Sequence, residues 1–132
     1  MQQAGRAAYR YLVALFLVGV VAQFFLAGLG VFRTQHQAST GTAVTDSRFG
    51  DDFSAHVTLG HILLIGGGIV FLAAFAGRLG RRRILLTLAL PVLVELQSVF
   101  ANAGPSAFRA LHPVNGTLIL GISAVLAHRA WA

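Results

Sequence analysis

Four long apolar stretches, separated by shorter polar ones, follow one another along the chain. A helix needs about 20 apolar residues to cross the hydrocarbon core of a bilayer. The pattern therefore predicts four transmembrane helices, at about residues 11–31, 56–77, 84–101 and 112–130. A polar segment at 32–55 is expected to form an external loop, and the basic residues 78–83 a short cytoplasmic turn. We predict an all-α integral membrane four-helix bundle with up-down-up-down topology, folded as a single transmembrane domain over residues 1–132.

Composition and charge support the membrane interpretation. Hydrophobic residues make up 56% of the chain and charged residues 11%, whereas ordinary soluble domains carry about 25% charged residues. The net charge of +6 comes from arginines that flank the apolar stretches, so we expect the lipid bilayer and no nucleic acid as a partner. Most of them cluster near the two termini and the central turn, as Arg6, Arg10, Arg78, Arg81, Arg82, Arg83 and Arg129. The positive-inside rule then predicts a multi-pass protein of a bacterial cytoplasmic membrane with both termini in the cytoplasm.

An internal repeat divides the chain into two related halves. The motif His-x-x-x-Gly occurs at His56–Gly60 and again at His112–Gly116, each time at the start of an apolar stretch. The stretches before them share a glutamine, then an alanine four residues later and a glycine seven residues later, beginning at Gln23 and Gln97. The repeat predicts two pseudo-symmetric helix hairpins that each present one histidine at the same depth in the outer half of the bundle.

Two histidines on opposite sides of a bundle suit a cofactor that takes one ligand on each face. In an up-down-up-down bundle the second and fourth helices are diagonal, so His56 and His112 would face each other across the core. Neutral imidazole is an expected axial ligand of haem iron. Without cysteine, covalent attachment of the haem through thiols is excluded.

The sequence thus predicts a b-type cytochrome-like membrane protein with a single bis-histidine haem b near the outer face. Its function would be electron transfer, with a quinone or a redox partner protein, or haem handling. The iron ligands would be His56 and His112. The residues expected around the haem are the two glycines one turn deeper, the two repeated glutamines, and an arginine for the propionates: Gly60, Gly116, Gln23, Gln97 and Arg109.

Other interpretations of the same residues stay open. The histidines are also compatible with solvated helix starts at the membrane interface that bind nothing, and the glycines with close helix packing. The protein would then be a non-catalytic membrane subunit of a larger complex or a homo-oligomer. In addition, His61 and Glu95 depart from the repeat. They would form either a structural pair or a second polar site for a quinone, a lipid or a metal.

Three segments carry a resemblance to known families. The run from Gln23 to Gly30, the helix start with His56 and Gly60, and the segment 110–115 resemble a family of small bacterial four-helix membrane proteins, which implies the fold but no established activity. More distantly, the layout resembles one half of haem A synthase. That family has haem-ligating histidines at the outer ends of the second and fourth helices of each four-helix half. The resemblance implies haem ligation by His56 and His112, although this chain matches only one such half.

Overall fold

The computed structural model describes residues 2–102 and 104–132 and is helical almost throughout. The helices are α1 (Gln2–Ser39), α2 (Asp46–Ala76), α3 (Arg81–Asn102), the single turn α4 (Ser106–Arg109) and α5 (Leu111–Trp131). Within the described ranges, four segments are long and apolar enough to cross a membrane: α1, α2, α3 and the segment Ser106–Trp131 that combines α4 with α5. The predicted all-α membrane bundle with four long helices is confirmed.

The four long helices pack as a square. Each of α1 and α3 contacts both α2 and α5, so α1 lies diagonal to α3, and α2 lies diagonal to α5. The core is a continuous apolar column that includes Tyr9, Val13, Phe16, Val70, Leu90 and Leu126. The outside of the bundle is also apolar, with Leu15 68% and Phe25 70% exposed. An apolar exterior around an apolar core is what a bundle surrounded by lipid requires.

The two ends of the bundle differ in chemistry. We call the end formed by the start of α1, the α2–α3 turn and the end of α5 the arginine end, because seven arginines gather there. The opposite end, where α2 and α5 carry His56 and His112, is the histidine end.

Glycines permit two close helix contacts. A Cβ on Gly5 of α1 would lie 2.6 Å from the backbone nitrogen of Gly77. A Cβ on Gly67 of α2 would lie 3.2 Å from the ring of Pro91 on α3. Proline inside a helix leaves a carbonyl without its usual donor and bends the helix. Gly67 lets α2 approach α3 at this point.

The predicted helix boundaries were wrong at the histidine end. The segment 32–55 was expected to be a loop, but α1 continues to Ser39 and α2 begins at Asp46, so only 40–45 lies outside the helices. The α2 N-cap is Thr45, whose hydroxyl accepts from the backbone N–H of Arg48.

Contacts between the end of α1 and the start of α2 explain why the segment 32–55 is mostly helical. The Asp52 carboxylate accepts hydrogen bonds from Thr34 Oγ1 and Gln37 Nε2, both at 3.1 Å. The Phe53 ring lies where a Cβ on Gly30 would be, with the nearest ring carbon 2.8 Å away. Polar residues in this segment therefore pair across a helical hairpin instead of forming a loop. At the arginine end the helices are also longer than predicted. Helix α1 begins at Gln2 instead of about residue 11, and α3 begins at Arg81, inside the predicted turn 78–83.

Candidate functional site

A cavity of about 390 Å³ lies inside the bundle at the histidine end. All four long helices contribute to its wall. The lining includes six of the seven residues that the sequence predicts around a cofactor: Gln23, His56, Gly60, Gln97, His112 and Gly116. Positions separated by up to 93 residues in the sequence, from Gln23 to Gly116, thus meet in one place. The remaining wall is mostly apolar, with His61, Ser98 and Asn102 as its polar residues.

The two histidine rings lie close together across the diagonal of the bundle. Their ring centroids are 6.1 Å apart, and the ring planes are inclined by 56°. His56 Nδ1 is 3.2 Å from the backbone carbonyl of Gln23, and His112 Nδ1 is 3.1 Å from that of Gln97. The same contact thus occurs in both repeats, between each histidine and the glutamine of the preceding long helix.

These hydrogen bonds determine the tautomer of the neutral rings. A carbonyl oxygen can only accept, so Nδ1 must donate its hydrogen in each contact. In a neutral imidazole the lone pair then resides on Nε2. Both His56 and His112 are therefore prepared, in the same way, to offer Nε2 as a ligand or acceptor. Backbone carbonyls are common partners for the second nitrogen of metal-binding histidines.

The glycines one turn below the histidines make room for glutamine side chains. A Cβ on Gly60 would lie 3.2 Å from Gln23 Nε2, and a Cβ on Gly116 would lie 3.1 Å from Gln97 Nε2. The space beside each glycine thus borders directly on a glutamine amide in both repeats. This arrangement also agrees with the alternative in which the glycines serve helix packing.

Asn115 distinguishes the second repeat from the first. Its side chain, 7% exposed, donates to the backbone carbonyl of Leu93 at 2.8 Å and to Gln97 Oε1 at 2.9 Å. Leu59 occupies the equivalent position in the first repeat. Accordingly, Gln23 Oε1 is buried without a hydrogen-bond partner among the described residues. Asn115 was not among the predicted site residues; the signal that marks it is a polar residue where the other repeat has leucine.

The other predicted site residues are not brought together. His61 lines the cavity, but its side chain is exposed overall. Glu95 is exposed and is not part of the cavity wall, so the two do not form a buried pair. Arg109 lies on α4, exposed and away from the cavity wall. A polar site built from His61 and Glu95, and a propionate contact from Arg109, therefore have no support in the geometry.

Fold and cavity together define a class: a membrane bundle of two helix hairpins that encloses a histidine-lined cavity near one end. A family model described as a family of unknown function, DUF6220, matches residues 23–106. This match covers more than half of the chain, and the chain belongs to that family. The matched segment contains Gln23, His56 and Gln97 and ends before His112. Comparisons with curated proteins and with solved structures gave no match.

Proposed function

We propose that the protein binds one haem b between His56 and His112 and acts as a small b-type cytochrome-like membrane protein. It would transfer electrons to or from a quinone or a redox partner protein, or carry haem. The observation that supports this proposal best is the pair of facing imidazoles with ring centroids 6.1 Å apart. Imidazole nitrogens bind metals at about 2.0 Å, so two rings on opposite sides of one metal have centroids about 6.3 Å apart.

The composition of the site favours haem over a bare metal ion. Among the described residues, no group of three or more histidine, cysteine or acidic side chains could hold a metal. A bare zinc ion needs at least three protein ligands in the usual sites. Haem iron already carries four porphyrin nitrogens and needs only the two axial ligands that His56 and His112 would supply.

The surroundings of the histidines suit an electron-transfer role. The carbonyls of Gln23 and Gln97 hold the imidazoles through Nδ1 and increase the basicity of Nε2. His56 and His112 would hold the haem iron, and the bound haem would supply one-electron chemistry. For a porphyrin to lie over Gly60 and Gly116, the two glutamine amides beside them would have to move aside.

The visible spectrum of detergent-purified protein, oxidised and reduced, tests the proposal. Protein expressed with ample haem should show sharp low-spin bands and bind about one haem per chain. His56→Ala and His112→Ala should each abolish these bands. His61→Ala is the matched control, because His61 lines the same cavity on the same helix as His56 and is not a proposed ligand. A colourless wild-type protein, or equal loss of haem in the control variant, would refute haem binding at this pair.

A second candidate function rests on the hydrogen bonds of the site. Gln97 connects α3 to α5 by accepting from His112 and Asn115, and Gln23 connects α1 to α2 by accepting from His56. Such bonds stabilise helix association in lipid by about 0.6 kcal/mol each on average. In this alternative the protein is a non-catalytic membrane subunit or homo-oligomer. His56→Ala and His112→Ala would then lower stability equally in haem-free and haem-supplied preparations, and native mass spectrometry would show the assembly.

A further inference from the structure

A second cavity, of about 650 Å³, lies at the arginine end, far from the histidines. Three separate parts of the chain form it: the start of α1, the α2–α3 turn with the start of α3, and the end of α5. Seven arginines line it: Arg6, Arg10, Arg78, Arg81, Arg82, Arg83 and Arg129. The chain has four acidic residues, Asp46, Asp51, Asp52 and Glu95, and none of them lines this cavity. We call this cavity the arginine cleft.

The arginine cleft is organised by contacts within the protein. Arg6 Nε donates to the backbone carbonyl of Gly77 at 3.2 Å, which ties α1 to the α2–α3 turn. The Arg10 guanidinium lies over the Trp131 ring, 5.3 Å from its centroid, which ties α1 to the end of α5. Trp131 in turn packs edge-on against Tyr11, with centroids 5.5 Å apart. The positive-inside rule accounts for the presence of arginines at one end, but it does not require them to converge on one concavity.

The chemistry of the arginine cleft points to a phosphate-bearing ligand. Guanidinium groups bind phosphate oxygens through paired, charge-assisted hydrogen bonds. The cavity wall includes seven of them and Ala132 but no acidic side chain, so an added anion would interact favourably with the excess positive charge. Tryptophan and tyrosine favour the level of lipid headgroups, and Tyr11 and Trp131 are 65% and 55% exposed beside the cleft. The exposed Leu15, one turn from Tyr11 on α1, continues this surface toward the apolar exterior.

We propose that the arginine cleft binds the phosphate-bearing headgroup of an anionic phospholipid, with the acyl chains along the apolar exterior of the bundle. Basic pockets between membrane helices are known to hold such headgroups. The volume of about 650 Å³ falls in the range of about 300–1,000 Å³ that small-molecule sites occupy. This site is independent of haem and of the cavity at the histidine end.

Lipid titration of delipidated protein in a nonionic detergent tests the proposal, with binding followed by native mass spectrometry. Phosphatidylglycerol should bind at least tenfold more tightly than phosphatidylcholine with the same acyl chains. The variant Arg6→Gln/Arg10→Gln/Arg129→Gln should weaken phosphatidylglycerol binding about 100-fold, since each arginine near the headgroup contributes about fivefold. The matched control is Arg33→Gln/Arg48→Gln/Arg109→Gln, which removes the same charge away from the arginine cleft and should change binding less than threefold.

Several results would overturn the assignment. Equal affinity of the wild-type protein for the two lipids would remove the basis for a headgroup site. Equal weakening in the two triple variants would indicate diffuse attraction by net charge. If inorganic phosphate alone at millimolar concentration displaced the lipid completely, the arginine cleft would be a free-anion site. If the first triple variant does not fold, Arg81→Gln/Arg82→Gln provides the test. Both of these side chains are exposed, and their removal should weaken phosphatidylglycerol binding about 30-fold.

Discussion

Replacing Gly5 with alanine tests the contact that joins α1 to the end of α2. The new Cβ would lie 2.6 Å from Gly77 N, 2.9 Å from the carbonyl carbon of Ala76 and 3.0 Å from Gly77 Cα. All three neighbours are backbone atoms, so no side chain can rotate away. Ordinary van der Waals contact begins at 3.4 Å. The distance between the new Cβ and Gly77 N must therefore increase by 0.8 Å, from 2.6 to 3.4 Å. Such a change moves α1 away from α2 and weakens the Arg6–Gly77 hydrogen bond.

The expected cost can be compared with a matched substitution. Overpacking costs about 1–3 kcal/mol, and alanine returns up to about 1 kcal/mol of helix propensity relative to glycine. We therefore expect Gly5→Ala to destabilise the protein by about 1–2 kcal/mol. Gly68 of α2 has no atom within 4 Å of its ideal Cβ position, so Gly68→Ala should be neutral or stabilising by up to about 1 kcal/mol.

Reversible unfolding in mixed detergent and sodium dodecyl sulfate micelles, followed by far-ultraviolet circular dichroism, measures this difference. Gly5→Ala should unfold at a clearly lower fraction of dodecyl sulfate than Gly68→Ala. Equal midpoints for the two variants would show that α1 does not approach α2 as closely at Gly5 as the structure places it. The Arg6–Gly77 hydrogen bond at the arginine end would then also be in doubt, because it depends on the same close approach.

Two further predictions concern the histidine end. Asn115→Leu copies the residue of the first repeat and removes the donor to Gln97, so it should cost about 1 kcal/mol in the same unfolding assay. Asn102→Leu is the control: Asn102 also lines the cavity, but its 2.8 Å hydrogen bond to the Ser98 carbonyl is exposed and lies within α3, so an equal loss there would contradict the role given to Asn115. Gly116→Ala should be more destabilising than Gly60→Ala by about 0.5–1.5 kcal/mol. The Gln97 amide beside Gly116 is held by Asn115 and cannot move aside without losing that hydrogen bond, whereas the Oε1 of the Gln23 amide beside Gly60 has no partner among the described residues. The reverse order of unfolding midpoints would contradict this prediction.

Much of the architecture follows from the sequence. Four apolar stretches of about 20 residues can satisfy their backbone in a bilayer only as helices, so helix number and up-down order follow from length and spacing. The two His-x-x-x-Gly motifs also predict which residues share a depth. The structure places His56 and His112 in one cavity, and Gln23 and Gln97 beside them. Haem binding itself stays a prediction.

The interpretations that depended on local polarity alone were less successful. Polar residues at 32–55 were expected to form a loop, yet Asp52 pairs with Thr34 and Gln37 across two continuous helices. Such a pairing cannot be recognised in either helix alone. Similarly, His61 and Glu95 both lie in apolar stretches of the sequence, yet both side chains are exposed in the structure. Each residue advances by about 100° around its helix. Small differences in helix rotation therefore decide whether a side chain faces the core.

By itself, the sequence determined the number of long helices, the repeat, the position of both histidines at one end of the bundle and the accumulation of arginines at the other, since these depend only on composition and spacing along single helices. Only the tertiary structure decided which groups share a hydrogen bond or a cavity. The Nδ1 contacts of both histidines, the partner of Asn115 and the convergence of seven arginines on one cleft all depend on the relative rotation and separation of four helices. Those quantities are set by packing between residues distant in the chain, and no local pattern encodes them.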